Sequence, residues 1–383
     1  MNSVASVKRL WSEPNRLSVE WADGDLSEFA SLWLRDNRRE DRDPHSGQRL
    51  IDIADVPEDP RIRSAVIESG AVNVEWEAEP QRASFDLQWL RTHASNRVPA
   101  RPEFARRPWL EGAGLDAARD FRWAAFSDVQ ADRSLRADWL MRLLQDGIAF
   151  LSDVPPGDGG IVEAAALAGR VLETNYGLVF DVRAVAQPEN LAFSDLGLGL
   201  HTDNPYREPV PGFQALHALV TSPAGGDSLF ADGMAIAQHL RAVDPDAFAI
   251  LTRTAVPFLY RSKDAELYAE RPLIQLSCAG EVAAIHYNSR SIAPLQLSPE
   301  SLAPFYGAYR RLAALLREPR FHLRFRLRDG DLVIFDNQRT MHGRLAFSSA
   351  KHPRHLRGCY LSRDSVYSEA ALLRRELDSE ALP

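Results

Sequence analysis

Leu17, Val19 and Trp21 alternate with polar neighbours near the start of the chain, and Val72, Val74 and Trp76 repeat the pattern further on. A period of two places successive side chains on opposite faces, so strands are predicted over 17–21 and 71–76, with a short amphipathic stretch at 85–90. Residues 1–97 therefore read as a small β-rich N-terminal domain. The following Pro/Arg/Gly-rich stretch carries Pro99, Pro102 and Pro108, none of which suits the interior of a helix or a central strand. We read residues 98–120 as a linker. From 121 to 383 two periods mix: apolar positions at helical spacing predict helices over 134–147, 161–173, 246–254, 299–317 and 365–377. Between them, strands are predicted over 212–220, 282–287, 321–327, 331–335 and 354–362, separated by turns and long insertions. The implied class is mainly β with helices, a jelly roll of two sheets decorated with helices beside the small domain.

The chain has 383 residues, 45% of them hydrophobic, enough for a sizeable core without covalent staples. Its formal net charge of -8 leaves no electrostatic footprint for nucleic acid, although Arg101, Arg106 and Arg107 form a small basic cluster. Cys278 and Cys359 are too few for a disulfide framework. No basic segment followed by an apolar run opens the chain, and no apolar run approaches the roughly 18 residues that cross a bilayer. A reduced, cytoplasmic protein whose small-molecule substrate arrives from solution is expected.

The chemistry concentrates in a few segments. In His201-Thr202-Asp203 an imidazole and a carboxylate stand two residues apart, and on an extended backbone both project from one face. His342 follows the predicted strand 331–335 and a turn-like Asp336-Asn337-Gln338. Two histidines and one carboxylate with positions left open suit non-heme Fe(II). Alone, Thr202-Asp203-Asn204-Pro205 reads as a turn and His342-Gly343 as a loop end. Arg354 shifts the balance, because it shares a strand face with Leu356, Gly358 and Tyr360. A buried guanidinium there needs a carboxylate, and the distal carboxylate of 2-oxoglutarate is a bidentate match.

These segments resemble the γ-butyrobetaine and trimethyllysine hydroxylase branch of the taurine-dioxygenase-like superfamily. The resemblance runs over nearly the whole chain: Trp33-Leu34-Arg35-Asp36-Asn37 in the N-terminal domain, then Leu200-His201-Thr202-Asp203, Pro211-Gly212-Phe213-Gln214, Gly225-Gly226-Asp227-Ser228, Phe335-Asp336-Asn337, His342-Gly343-Arg344 and Arg354-His355-Leu356. It implies a double-stranded β-helix catalytic domain, Fe(II) on His201, Asp203 and His342, and 2-oxoglutarate on Arg354 with Leu216 nearby. Dioxygen is the second co-substrate, and the products are a hydroxylated substrate, succinate and carbon dioxide. No general base is required. Relatives also suggest a homo-oligomer.

Two departures qualify the resemblance. Relatives carry a zinc site in the N-terminal domain, but the matching positions here are Arg38, Glu40, Asp43 and Gln81, so no zinc is expected. Exposed ion pairs among Arg38, Glu40, Arg42 and Asp43 would replace it, at about 0–1 kcal/mol each, in a looser module. The second departure concerns substrate. The family's aromatic cage for a trimethylammonium group maps to Tyr176, Phe180 and Tyr360, whose ring faces attract cations. Asn190 and Asn288 match the residues at the substrate's anionic end, where two expected tyrosines are replaced by Phe193 and Asn204. Tyr206, Arg207 and Arg290 lie close in sequence and offer further donors, which would suit a doubly charged phosphonate, as in the trimethylaminoethylphosphonate hydroxylase relative. The residues also leave room for a zinc hydrolase on the same His/Asp/His set and for a non-catalytic quaternary-ammonium binding module.

Overall fold

In the computed structural model, the described residues are 6–94, 104–157, 159–183, 195–222, 225–348 and 354–380. The chain divides into two units, Met1–Pro102 and Glu103–Pro383.

In the first unit the alternating segments become two antiparallel sheets. One holds β1 (Val7–Glu13), β2 (Arg16–Trp21) and β3 (Leu26–Ala30), followed by helix α1 (Ser31–Asp36). The other holds β4 (Ile62–Glu68), β5 (Ala71–Trp76) and β6 (Ala83–Asp86), followed by helix α2 (Leu87–Thr92). Leu17, Val19, Trp21, Val72, Val74 and Trp76 all point into one core. The amphipathic stretch expected at 85–90 divides at Asp86, whose carboxylate accepts the Trp89 amide at 2.8 Å and caps α2.

The expected ion pairs need correction. Arg35 at the end of α1 and Arg38 just beyond it both turn toward Asp41, so the charges gather there and not on Glu40 and Asp43. Arg35 reaches Asp41 and Glu79 at 2.5 Å each, and Arg38 reaches the same two carboxylates at 2.6 and 3.2 Å. The side chains are only 7–16% exposed, so this is a buried network. Asp43 instead stabilises a turn by accepting the amides of Ser46 and His45.

The second unit opens with α3 (Ala117–Asp120), β7 (Ala124–Ala125), α4 (Phe126–Ala131), α5 (Arg133–Asp146) and β8 (Ile148–Ser152). Residues 104–120, read in the sequence as connecting chain, are packed: Trp109 and Ala117 join a core with Phe121 and Phe150. Next come α6 (Gly160–Ala166), β9 (Val171–Leu172), β10 (Phe180–Arg183), β11 (Leu198–His201), β12 (Phe213–Val220) and β13 (Ser228–Asp232). The helix expected over 161–173 thus stops early, and its last part pairs with a sheet as β9. An insertion follows: α7 (Gly233–Val243), α8 (Pro245–Arg253), β14 (Val256–Arg261), β15 (Glu266–Arg271), β16 (Ile274–Leu276), β17 (Val282–Ile285) and α9 (Pro299–Leu315). The chain closes with β18 (Leu323–Phe325), β19 (Leu332–Asp336), β20 (Thr340–Arg344), β21 (His355–Leu361) and α10 (Arg363–Glu380).

Among the described residues, the larger sheet runs β10-β21-β12-β19-β8-β7, with β9 also on β21, and the smaller runs β11-β20-β13-β18. Alternation assigns the faces. Phe213 and Ala215 of β12, Leu332 and Ile334 of β19, and Cys359 and Leu361 of β21 face a core shared with Leu140 of α5, Ile161 of α6 and Val366 of α10. The intervening residues Ala218, Val333, Phe335 and Leu356 face Phe230 and Leu323 of the smaller sheet. Burying each such large side chain contributes about 1.5–3 kcal/mol. The result is a two-sheet jelly roll, as the strand pattern predicted, with helices covering one face of the larger sheet. The space between the sheets is left for a ligand. Among the described residues, no helix is long and apolar enough to cross a membrane.

Candidate active site and metal centre

The pairing of β11, β20 and β13 builds the metal centre. His201 lies opposite His342, and His342 lies opposite Phe230 on the other side. The two imidazole centroids are therefore 4.2 Å apart. Gly343 makes this approach possible, because a Cβ there would stand 2.5 Å from the Leu198 carbonyl oxygen. Asp203 follows where β11 ends, and its backbone is gripped by the buried Asn337 amide. Asn337 Oδ1 accepts the Asp203 N–H at 2.8 Å, and Asn337 Nδ2 donates to the Asp203 and Pro211 carbonyls at 3.0 and 3.1 Å. Asn204 then adopts φ +54, a left-handed conformation that asparagine tolerates better than most residues, and turns the chain away.

Ligand atoms of His201, Asp203 and His342 lie within 4.8 Å of one another. His201 Nδ1 is 2.9 Å from the Gly199 carbonyl, which fixes the proton on Nδ1 and leaves the Nε2 lone pair facing Asp203 Oδ1 at 3.3 Å. Burial first, and then the neighbouring His201, push the His342 pKa down to about 3, so the His342 ring is neutral. Burial opposes ionisation of Asp203, but His201, His342 and the Tyr360 hydroxyl outweigh it and hold the carboxyl below its ordinary range. Two imidazoles and a carboxylate whose ligand atoms converge in this way are a donor set that fits a divalent cation. Tyr360 donates to Asp203 Oδ2 at 2.8 Å, which leaves Oδ1 on the histidine side.

A cavity of about 480 Å³ opens from this cluster between the sheets, a size suited to small molecules. Arg354, Leu356 and Tyr360 reach it from alternate positions along β21, as the shared strand face predicted, and Leu216 reaches it from β12. Arg354 is buried, and among the described residues it has no carboxylate partner. Burial, with Arg344 nearby, lowers its pKa to about 10, which still leaves a cation at neutral pH. An unpaired buried cation calls for an anionic ligand. Asp203 is the single carboxylate among the described lining residues. A zinc hydrolase would lack a second carboxylate to act as base.

The cage candidates also line the cavity. Tyr176 and Phe180 do so through a turn. Thr174 pairs back on Gly177, which has φ +86, and the two rings end 6.1 Å apart. Phe180 is 5.0 Å from Tyr360 and lies over Gly358, where a Cβ would come within 2.4 Å of its ring. At the anionic end the picture shifts. Tyr206 does not present a free donor: its hydroxyl donates to Asn204 Oδ1 at 2.6 Å and stands 3.1 Å from the Tyr176 hydroxyl. Asn204 Nδ2 is buried without a partner on the cavity wall. Asn288 donates from Nδ2 to the Thr202 carbonyl at 3.2 Å, bracing the metal-binding segment. Arg290 lines the cavity, whereas Arg207 does not and instead stacks on Tyr176 at 5.4 Å. Asn190 and Phe193 lie outside the described residues.

Some lining residues escaped the sequence reading. Gln214 and Arg344 sat inside quoted motifs without an assigned role. Leu259, Tyr260 and Arg261 come from β14, in the insertion, and carried no motif at all.

Facing sheets that bring two imidazoles and a carboxylate to a shared cavity with a buried arginine that has no carboxylate partner among the described residues define the iron(II)- and 2-oxoglutarate-dependent oxygenases. Comparison with known proteins narrows this class. The family model described as taurine catabolism dioxygenase TauD, TfdA family matches residues 113–360, and the model of the γ-butyrobetaine hydroxylase-like N-terminal domain matches residues 9–91. The γ-butyrobetaine dioxygenase of Pseudomonas sp. (strain AK-1) is 36% identical over 368 residues, covering 94% of each chain. The γ-butyrobetaine dioxygenase of Homo sapiens is 27% identical with 95% of each chain covered, and the trimethyllysine dioxygenase of Meyerozyma guilliermondii 26% identical with 93% of each covered. The chain belongs to the TauD, TfdA dioxygenase family, in its γ-butyrobetaine and trimethyllysine dioxygenase branch. It is a 2-oxoglutarate-dependent dioxygenase that uses Fe(II) and dioxygen.

Proposed function

We propose that the protein hydroxylates a small zwitterion with a trimethylammonium head and a carboxylate or phosphonate tail. His201, Asp203 and His342 would hold the iron, and Arg354 would hold the distal carboxylate of 2-oxoglutarate against Leu216. The observation that carries this reading is the convergence of the three ligand side chains on a cavity that also contains an unpaired buried arginine and an aromatic wall. Its net charge of -8 argues against a polyanionic partner, and a chain with so few cysteines suits the cytoplasm.

When bound, iron with 2-oxoglutarate and dioxygen supplies the oxidising power for C–H hydroxylation, one oxygen atom going to substrate and one to succinate as carbon dioxide leaves. The chain's own task is placement. Tyr360 holds Asp203 in one orientation, and Asn337 fixes the backbone beneath it. Tyr176, Phe180 and Tyr360 offer ring faces to a cation that accepts no hydrogen bond. Asn204 Nδ2 and the Arg290 guanidinium are donors for the tail. Held at both ends, the substrate presents one C–H group to the metal.

The test is anaerobic loading with Fe(II), then aerobic incubation with 2-oxoglutarate and a panel of trimethylammonium carboxylates and phosphonates, measuring succinate and hydroxylated product. One panel member should stimulate both in equal amounts, and a His201→Ala/Asp203→Ala double variant should release neither. Turnover retained in that variant would reject the ligand assignment.

A further inference from the structure

The aromatic wall does not end at the three expected rings. Passing from the metal, Tyr360 is followed by Phe180 at 5.0 Å and Tyr176 at 6.1 Å, then by Tyr260 at 5.8 Å and Tyr206 at 5.1 Å, measured between successive ring centroids. All five line the same cavity. Tyr260 links the two halves of this arc, standing edge-on to Tyr176 and stacked on Tyr206 at 19°.

Its origin differs from that of the other rings. Tyr260 stands on β14, which pairs with β15 in a hairpin belonging to neither jelly-roll sheet. The hairpin is nonetheless firmly seated. Phe258 on the same strand face is fully buried and bridges to Ile292, and the Leu259 amide donates to the Ser291 carbonyl at 2.8 Å. The neighbouring hydroxyls are occupied: Tyr206 donates to Asn204, so the hydrogen between Tyr176 and Tyr206 comes from Tyr176.

A permanent cation entering this cavity finds little else to meet. The one described carboxylate in the lining, Asp203, is committed to the metal cluster and to Tyr360. Attraction must come from ring quadrupoles, which discriminate charge without hydrogen bonds. Resting on the quaternary-ammonium reading above, we propose that Tyr260 is a specificity-determining residue: it closes the aromatic wall from the insertion side and makes the site prefer a charged trimethylammonium head over a neutral group of the same shape.

The test uses the full chain with Fe(II) and 2-oxoglutarate, first with γ-butyrobetaine and then with its carbon isostere, in which tert-butyl replaces trimethylammonium. Binding is measured by anaerobic calorimetry, and KM and kcat by succinate release. Tyr260→Leu should weaken the charged compound roughly 3- to 30-fold. It should leave the isostere and the KM for 2-oxoglutarate unchanged, whereas Tyr260→Phe should behave like the wild type. The proposal is overturned if the leucine variant keeps the wild-type charge preference, if both compounds weaken together, or if phenylalanine fails as leucine does, since the hydroxyl would then be the contact. A wild-type protein that responds to no trimethylammonium zwitterion would overturn the substrate reading, and this inference with it, a failure visible before any variant is made.

Discussion

Tyr360 illustrates how one side chain can be half legible. Its place on the Arg354 face is legible in the sequence, and the family resemblance implies a place for its ring in the substrate wall. The hydrogen bond from its hydroxyl to Asp203 Oδ2 is not legible, because Asp203 lies in a segment far away along the chain that pairing alone brings near. The ring and the hydroxyl therefore have separable jobs. Tyr360→Phe keeps the ring and removes the donor that orients a ligand carboxylate, and losses of this kind typically weaken metal binding roughly 10- to 100-fold. We expect Fe(II) affinity to fall toward the lower end of that range, by anaerobic titration, while the KM for the cationic substrate changes little. A substrate KM that rises as steeply as the metal dissociation constant would contradict the division. Tyr206 shows the reverse error: proximity in sequence suggested an anion donor, yet stacking on Tyr260 and donation to Asn204 make it part of the wall.

Strands were read well where an apolar or alternating run stood between turn residues. The segments predicted at 212–220, 331–335 and 354–362 match β12, β19 and β21 to within a residue or two at each end. Other strands were passed over. β13 starts directly after the turn-like Gly225-Gly226-Asp227, and β20 contains His342-Gly343, which alone reads as a loop end. That glycine is required by the distance between strands, not by a turn. Gly343→Ala would place a Cβ 2.5 Å from the Leu198 carbonyl and push β11 away from β20, separating His201 from His342. The expected outcome is Fe(II) binding weakened by about tenfold or more in a protein whose circular dichroism remains that of a folded β protein. Unchanged affinity would show that the strands tolerate the shift.

At the scale of the whole molecule, three adjoining strands of the larger sheet, β21, β12 and β19, and the metal set were legible because their signals are periodic or chemically rare. In the insertion α8, α9 and β17 were legible as well, but the β14–β15 hairpin was not, since a hairpin outside both sheets obeys no rule of jelly-roll spacing. In the first unit the network around Arg35, Arg38, Asp41 and Glu79 was not legible, because Glu79 comes from a distant loop. Burial opposes ionisation of Asp41, yet Arg38 and Arg35 hold its carboxyl below the ordinary range. A depressed folded-state value means stabilisation that is present above about pH 4 and lost as the pH falls through that lowered value. Asp41→Asn should therefore destabilise the unit at neutral pH by about 3 kcal/mol. It should also lessen the unit's sensitivity to acid, as read by hydrogen exchange of peptides from residues 31–94 in the full chain. Equal acid sensitivity in variant and wild type would place the titrating group elsewhere.

The seated hairpin has an evolutionary corollary. His201 and His342 are locked by cross-strand register, whereas Tyr176 and Tyr260 of the cavity wall stand on a turn and on a hairpin outside both sheets. On the substrate reading proposed above, selection would redraw which molecule is admitted by editing the turn or the hairpin while the paired strands that carry the two histidines are inherited intact.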